Sequence, residues 1–158
     1  MKSQVSQCYT LSVGEGKAYW FMGTFFEVKA TAKETNGVFS LIEELNPPGE
    51  GPPLHVHHNE DETFYVLAGN VTFQIGEKTF YAAAGSYVFA PRDTPHTYRV
   101  EGEAPARFLT MMAPPGIEQL FIELGTPALE RTLPPDTITT DIEKMYMLAK
   151  EYNAEILE

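Results

Sequence analysis

His55, Val56 and His57, then Glu62, then His96 are the residues of this chain whose types and spacing could do chemistry. In an extended strand, side chains at i and i+2 share a face, so His55 and His57 project together. The polar run His58-Asn59-Glu60-Asp61 can turn the chain before Glu62. His96 closes the proline-bracketed turn Ala90-Pro91-Arg92-Asp93-Thr94-Pro95-His96. Three imidazoles and a carboxylate, with no thiolate, suit one divalent first-row transition metal: iron, manganese, nickel, cobalt, copper or zinc. His58 points away from His57 by strand parity and reads as a surface residue or a support behind the ligands. Glu60 rivals Glu62 as the carboxylate, because alternation does not carry through a turn. If Glu62 faces inward, Phe64 and Val66 do too and would wall the metal. Tyr98 shares the face of His96 and could border the same pocket, or be an ordinary core aromatic.

Strands must position these residues. Lys17 to Lys29 is dense in aromatic and β-branched residues and reads as a strand pair broken near Gly23. The turn signal Thr35-Asn36-Gly37 precedes a strand from Val38 to Leu45. Pro47-Pro48-Gly49-Glu50-Gly51-Pro52-Pro53 is a stiff loop delivering the strand of His55 and His57. Short strands follow at Thr63–Ala68, Val71–Ile75, Thr79–Ala82, Ser86–Ala90, Thr97–Glu101 and Arg107–Met112. Closely spaced short strands predict an all-β sandwich or barrel. After Pro114-Pro115, Ile117, Leu120, Phe121 and Leu124 fall at helical spacing and Gly125 stops the run. Ile138, Ile142, Met145, Met147 and Leu148 predict a second helix starting near Thr139, Thr140 or Asp141. Such helices either bury one face on the barrel, their ordinary role, or act as a lid. The expected organisation is one domain over 1–158, with a barrel over 1–113 and a helical extension over 114–158.

The residues around the candidate ligands resemble the cupin superfamily. Its first motif is a glycine, five residues, HxH, three or four residues, a glutamate, six residues and a glycine; Gly49, His55, His57, Glu62 and Gly69 meet every spacing. In its second motif Gly85, Pro91 and His96 match, while Asp93 replaces a glycine and Val100 replaces an asparagine. Asp tolerates tight-turn geometry better than most residues, and the asparagine is not a ligand, so the ligand set is unaffected. The resemblance implies a single jelly-roll barrel. Over the whole chain it extends to single-domain quercetinase-like cupins, through the aromatic arm at Tyr19-Trp20-Phe21, the Pro91–His96 turn and the helical extension. That implies a metal on His55, His57, Glu62 and His96, with Glu62 also removing the 3-hydroxyl proton of a flavonol. Dioxygen would then open the ring to a depside and carbon monoxide.

Composition bounds the function classes. The formal net charge of −11 and sequence pI near 4.7 disfavour nucleic acid and anionic membrane surfaces as partners. The hydrophobic fraction of 43% is ordinary for a globular chain, and 12% aromatic is rich. The lone Cys8 cannot make an internal disulfide. Met1 to Gln7 lacks the apolar core of a signal peptide, which makes the cytoplasm the expected compartment. Three functions remain: a metal-dependent dioxygenase acting on a flavonol-like or enolic aromatic substrate, a non-oxidative metalloenzyme (isomerase or lyase) on a small oxo compound, and a non-catalytic small-molecule-binding protein. A homodimer is expected, because a jelly roll leaves sheet edges that need cover.

Overall fold

The computed structural model describes residues 7–157. The amino-terminal stretch read for a signal peptide lies almost wholly outside these residues. In chain order the elements are β1 (Lys17–Phe21), β2 (Thr24–Ala30), α1 (Ala32–Thr35), β3 (Ser40–Asn46), β4 (His55–His57), β5 (Asp61–Ala68), β6 (Asn70–Ile75) and β7 (Lys78–Ala83). They continue with β8 (Tyr87–Ala90), β9 (His96–Glu101), β10 (Ala106–Ala113), α2 (Glu118–Leu124), β11 (Thr126–Pro127), α3 (Ile142–Glu151) and β12 (Ala154–Ile156). Seven strands form one antiparallel sheet in the order β11-β1-β2-β3-β10-β5-β8, and five form a second in the order β12-β4-β9-β6-β7. Two facing antiparallel sheets with these crossovers make a jelly-roll barrel, the expected all-β fold.

The strands follow from alternation. Along β5, Glu62, Phe64 and Val66 are buried while Tyr65 and Leu67 face out. Phe64, Phe73, Tyr98 and Phe108 interlock between the sheets, with ring centroids 4.9–6.2 Å apart and mostly tilted or edge-on contacts. Val66, Val71 and Val100 complete this cluster.

A second cluster forms where the carboxyl-terminal segment packs on the larger sheet. Phe26, Val28, Ile42 and Met112 meet Ile117, Leu120 and Leu148 there. The helices therefore do bury a face against the sheet. Asp141 caps α3 by accepting from the Lys144 amide at 3.0 Å. This region also holds two short strands that periodicity did not predict, because each is too brief to carry a period. β11 pairs with β1, and β12 pairs with β4. The short helix α1 was likewise not predicted, although its capping box, Thr31 with Glu34, is legible in the sequence.

The proline-rich loop is pinned to β9. The Gly49 amide donates to the Val100 carbonyl at 2.8 Å, the Val100 amide to Glu50 at 3.0 Å, and the Thr97 hydroxyl to Pro52 at 2.7 Å. A Cβ on Gly51 would overlap the Tyr98 carbonyl oxygen, so only glycine allows this approach. Among the described residues, no helix is long and apolar enough to cross a membrane.

Candidate metal centre

Three strands of two sheets bring the candidate ligands together. β4 carries His55 and His57 and lies between β9 and β12, with His55 opposite both His96 and Ile156. Glu62 reaches the same place from β5 in the other sheet, opposite Met112 and Ala90. One potential ligand atom from each of His55, His57, Glu62 and His96 lies within 4.8 Å of the others. The imidazole centroids are 4.4–5.3 Å apart.

The turn that delivers His96 keeps left-handed backbone at Asp93, where the cupin motif has glycine. Asp93 adopts φ +62°, in the left-handed region, and its amide donates to the His57 carbonyl at 2.8 Å. Its carboxylate holds His58 Nδ1 at 2.6 Å, on the solvent side. His58 thus points away from the group, as strand parity requires. Val100 is buried in the core.

The ring nitrogens are sorted by what they touch. His55 Nδ1 faces the Pro53 carbonyl at 2.7 Å and His96 Nδ1 faces the Thr94 carbonyl at 2.9 Å. A carbonyl accepts only from N–H, so both rings carry that proton on Nδ1 and leave Nε2 for a metal. His57 Nε2 lies 3.4 Å from Glu62, and its Nδ1 lies 3.8 Å from the buried Glu60 Oε2. Neither His57 Nδ1 nor Glu60 Oε2 has a hydrogen-bond partner. Glu60 is therefore behind His57, where it can orient the ring, and is not among the four.

Electrostatics prepares the group for a cation. Burial pushes the His55 imidazole down to about 4, helped by His96 and His57, and burial also lowers His57. Both are neutral lone-pair donors at neutral pH. Burial would raise Glu62, but the imidazoles of His57 and His96 outweigh it and hold the carboxyl down near 2. Burial opposes charge on His96 too, yet its 2.8 Å contact with Glu62 wins and raises it. The donor set, its burial and its fixed tautomers fit a divalent transition metal, which would displace the proton shared by His96 and Glu62.

The group opens on a cavity. Phe64 and Tyr98 line it, as do Phe26 and Ile42 from β2 and β3. Ile117, Leu120, Phe121, Met145 and Ala149 close it from the carboxyl-terminal helices, so these helices are a wall as well as packing. Val66 faces the same interior but is wholly buried in the core and does not line the cavity. The wall expected from it is supplied instead by residues far away in sequence.

Sequence reasoning missed Glu44, Asn46 and Thr110. Glu44 and Asn46 line the cavity, and the Thr110 hydroxyl donates to Glu44 Oε1 at 2.7 Å. In β3 the apolar residues occupy both alternation phases, Leu41 and Leu45 in one and Ile42 in the other, so polarity alone does not place Glu44 inside. Pairing does. Glu44 lies opposite Phe26 and Phe108, whose rings are buried.

Comparisons with known proteins agree with this geometry. The family profile described as a cupin domain matches residues 42–112. Quercetin 2,3-dioxygenase of Bacillus subtilis (strain 168) is 28% identical over 127 residues, covering 80% of this chain and 37% of that protein. Quercetin 2,3-dioxygenase of Aspergillus japonicus is 26% identical over 138 residues, covering 84% of this chain and 34% of that protein. The chain thus spans about a third of the length of these two relatives. A Thermotoga maritima structure described as a predicted oxalate decarboxylase aligns with TM-score 0.62 at 19% identity, covering 67% of this chain and 99% of that one, and shares the fold.

Two outcomes are expected. Titrated with manganese, cobalt or nickel, Glu62→Gln and His96→Ala should bind at least about a hundredfold more weakly than the parent protein, Glu60→Gln about tenfold more weakly, and His58→Ala equally well. Burial pushes Glu44 from 4.5 up to about 7. A carboxyl raised on folding costs stability as pH climbs from its unfolded toward its folded value, on the order of 3 kcal/mol in full above both. Glu44→Gln should therefore stabilise the metal-free protein at pH 8 and much less at pH 5, and denaturant midpoints measured at both check this. Motif spacing, the four clustered side chains and the matched profile identify a cupin domain over residues 42–112 of a chain whose sequence is similar to quercetin 2,3-dioxygenases.

Proposed function

We propose that the chain is a metal-dependent dioxygenase that opens a flavonol-like or enolic aromatic substrate, built as one cupin domain over 1–158. One observation carries this reading: a buried carboxylate, Glu62, stands within the ligand group at the edge of a largely apolar cavity. When bound, a metal on His55, His57, Glu62 and His96 would supply Lewis acidity toward an enol and ketone oxygen pair. The cavity's rings and aliphatic side chains, Phe26, Ile42, Phe64 and Phe121 among them, would hold a flat aromatic body and exclude water. Tyr98 would border the substrate, and Phe64 would stand beside the carboxylate.

Glu62 would take the hydroxyl proton. The imidazole of His57, together with that of His96 in 2.8 Å contact, keeps its proton affinity low against the opposing effect of burial. Once that contact is given up, desolvation favours the protonated carboxyl, which is the condition a transient general base needs. The His55 and His96 imidazoles would be kept in place through their Nδ1 contacts to the Pro53 and Thr94 carbonyls. The quercetin 2,3-dioxygenase relatives support the substrate class.

Apo-protein reconstituted separately with manganese, iron, cobalt and nickel should consume oxygen in step with flavonol loss and release carbon monoxide. Glu62→Gln should lower turnover by about 10²- to 10⁴-fold. Flavonol intact under oxygen with every metal, while the metal stays bound, would reject this reading. Turnover of a small oxo compound without oxygen would assign a non-oxidative enzyme instead.

We also propose a cytoplasmic homodimer. Tyr65, Phe80, Tyr81, Tyr87 and Phe89 are exposed on and beside β7 and β8, the strands that end the two sheets. Aromatic surface next to free strand edges favours pairing with a second copy. Sedimentation equilibrium should give twice the chain mass, and Tyr81→Lys with Tyr87→Lys should halve it.

A further inference from the structure

The cavity has a second polar end that the metal chemistry does not use. Glu44 and Asn46 reach it from β3, Thr24 from β2 and Tyr98 from β9. The Thr24 hydroxyl donates to Asn46 Oδ1 at 3.0 Å, and the Asn46 amide reaches Glu44 Oε2 only at 3.4 Å. The Tyr98 hydroxyl lies 2.8 Å from Asn46 Oδ1 and 3.2 Å from Glu44 Oε2, but its single proton serves one of them at a time. Glu44 Oε1 is satisfied by Thr110, while Oε2 has one shared donor and one long one.

A buried carboxylate ordinarily has a cation or a full set of donors. Among the charged groups that act on Glu44 the strongest is Glu62, of the same sign. A carboxylate kept at the wall of a cavity with one oxygen short of donors is suited to a donor that arrives with the ligand. Tyr98 and His96 lie on one face of β9, so this end sits about 7 Å along the strand from the metal end. Ile42 and Phe64 contribute apolar wall to the same cavity.

We propose that Glu44, with Asn46 and Tyr98, is the site that takes a ring hydroxyl of the substrate remote from its metal-chelating oxygen pair. The substrate is then a polyhydroxylated aromatic, anchored at both ends. This deepens the dioxygenase reading and rests on its metal-chelating pose. Glu44 selects the substrate; Glu62 takes the proton.

The test is anaerobic binding to the metal-loaded protein, comparing the parent with Glu44→Gln and Tyr98→Phe. Circular dichroism and metal content first establish that each variant is folded and loaded. One probe pair is 3-hydroxyflavone, which has only the chelating oxygens, and quercetin, which adds ring hydroxyls. A second pair, tropolone and a ring-hydroxylated tropolone, chelates without being a flavonol. The parent should prefer the hydroxylated member by about tenfold or more, the worth of a hydrogen bond to a charged group. Glu44→Gln should bring that ratio close to one and leave the unhydroxylated member's affinity unchanged, with Tyr98→Phe intermediate. If flavonols fail to bind while the tropolone pair shows the Glu44-dependent preference, the site stands and the flavonol reading falls. A ratio that Glu44→Gln leaves intact, or no binding by either pair, overturns the proposal.

Discussion

Holding Glu62 out of water against three imidazoles is the constraint on which the rest of this structure depends. A buried carboxylate is expensive unless opposite charge or hydrogen bonds compensate it. Here the compensation comes from His57 at 3.4 Å and His96 at 2.8 Å. Those rings arrive on β4 and β9 of one sheet, while the carboxylate arrives on β5 of the other. The two sheets must therefore be held at a fixed separation and register. The interlocked rings of Phe64, Phe73, Tyr98 and Phe108 do that, immediately beside the group.

The same requirement explains features that look incidental in isolation. β4 is three residues long and pairs with β9 through a single residue pair, His55 with His96. Alone it would be a poor platform. The proline-rich loop before it is hydrogen-bonded to β9, the Asp93 amide grips the His57 carbonyl, and β12 covers its other edge. The carboxyl-terminal segment is thus part of the centre's scaffold as well as of the cavity wall.

Polarity in the cavity is distributed unevenly. The candidate ligands occupy one end, Glu44 with its hydroxyl and amide partners another, and rings and aliphatic side chains the remainder. One metal shell serves many chemistries on this fold, so the shell alone says little about the substrate. The lining of this cavity is mostly apolar, and Glu44, Asn46 and Tyr98 add a second polar end to it.

Much of this was legible in the sequence, for a definite reason. Strand alternation and turn residues act locally, so they predicted β1 through β10 to within a few residues, turned His58 outward, and put Phe64 and Val66 on whichever face Glu62 takes. The resemblance of the segments around His55, His57, Glu62 and His96 to the cupin motifs named the four side chains that the structure gathers. Local pattern could not separate the roles of Glu60 and Glu62, because a turn interrupts the alternation between His57 and Glu62. Nor could it choose the phase of β3, where apolar residues fall on both faces; pairing with Phe26 and Phe108 put Glu44 inside. Val66 has the inward parity of Phe64 but lies in the sealed core, since parity gives a direction and not a depth. The strands β11 and β12 exist only because other strands offer them free edges. The chemistry of the ligand set thus belonged to the sequence, while the shape of the cavity and its second polar end were decided by contacts between residues far apart along the chain.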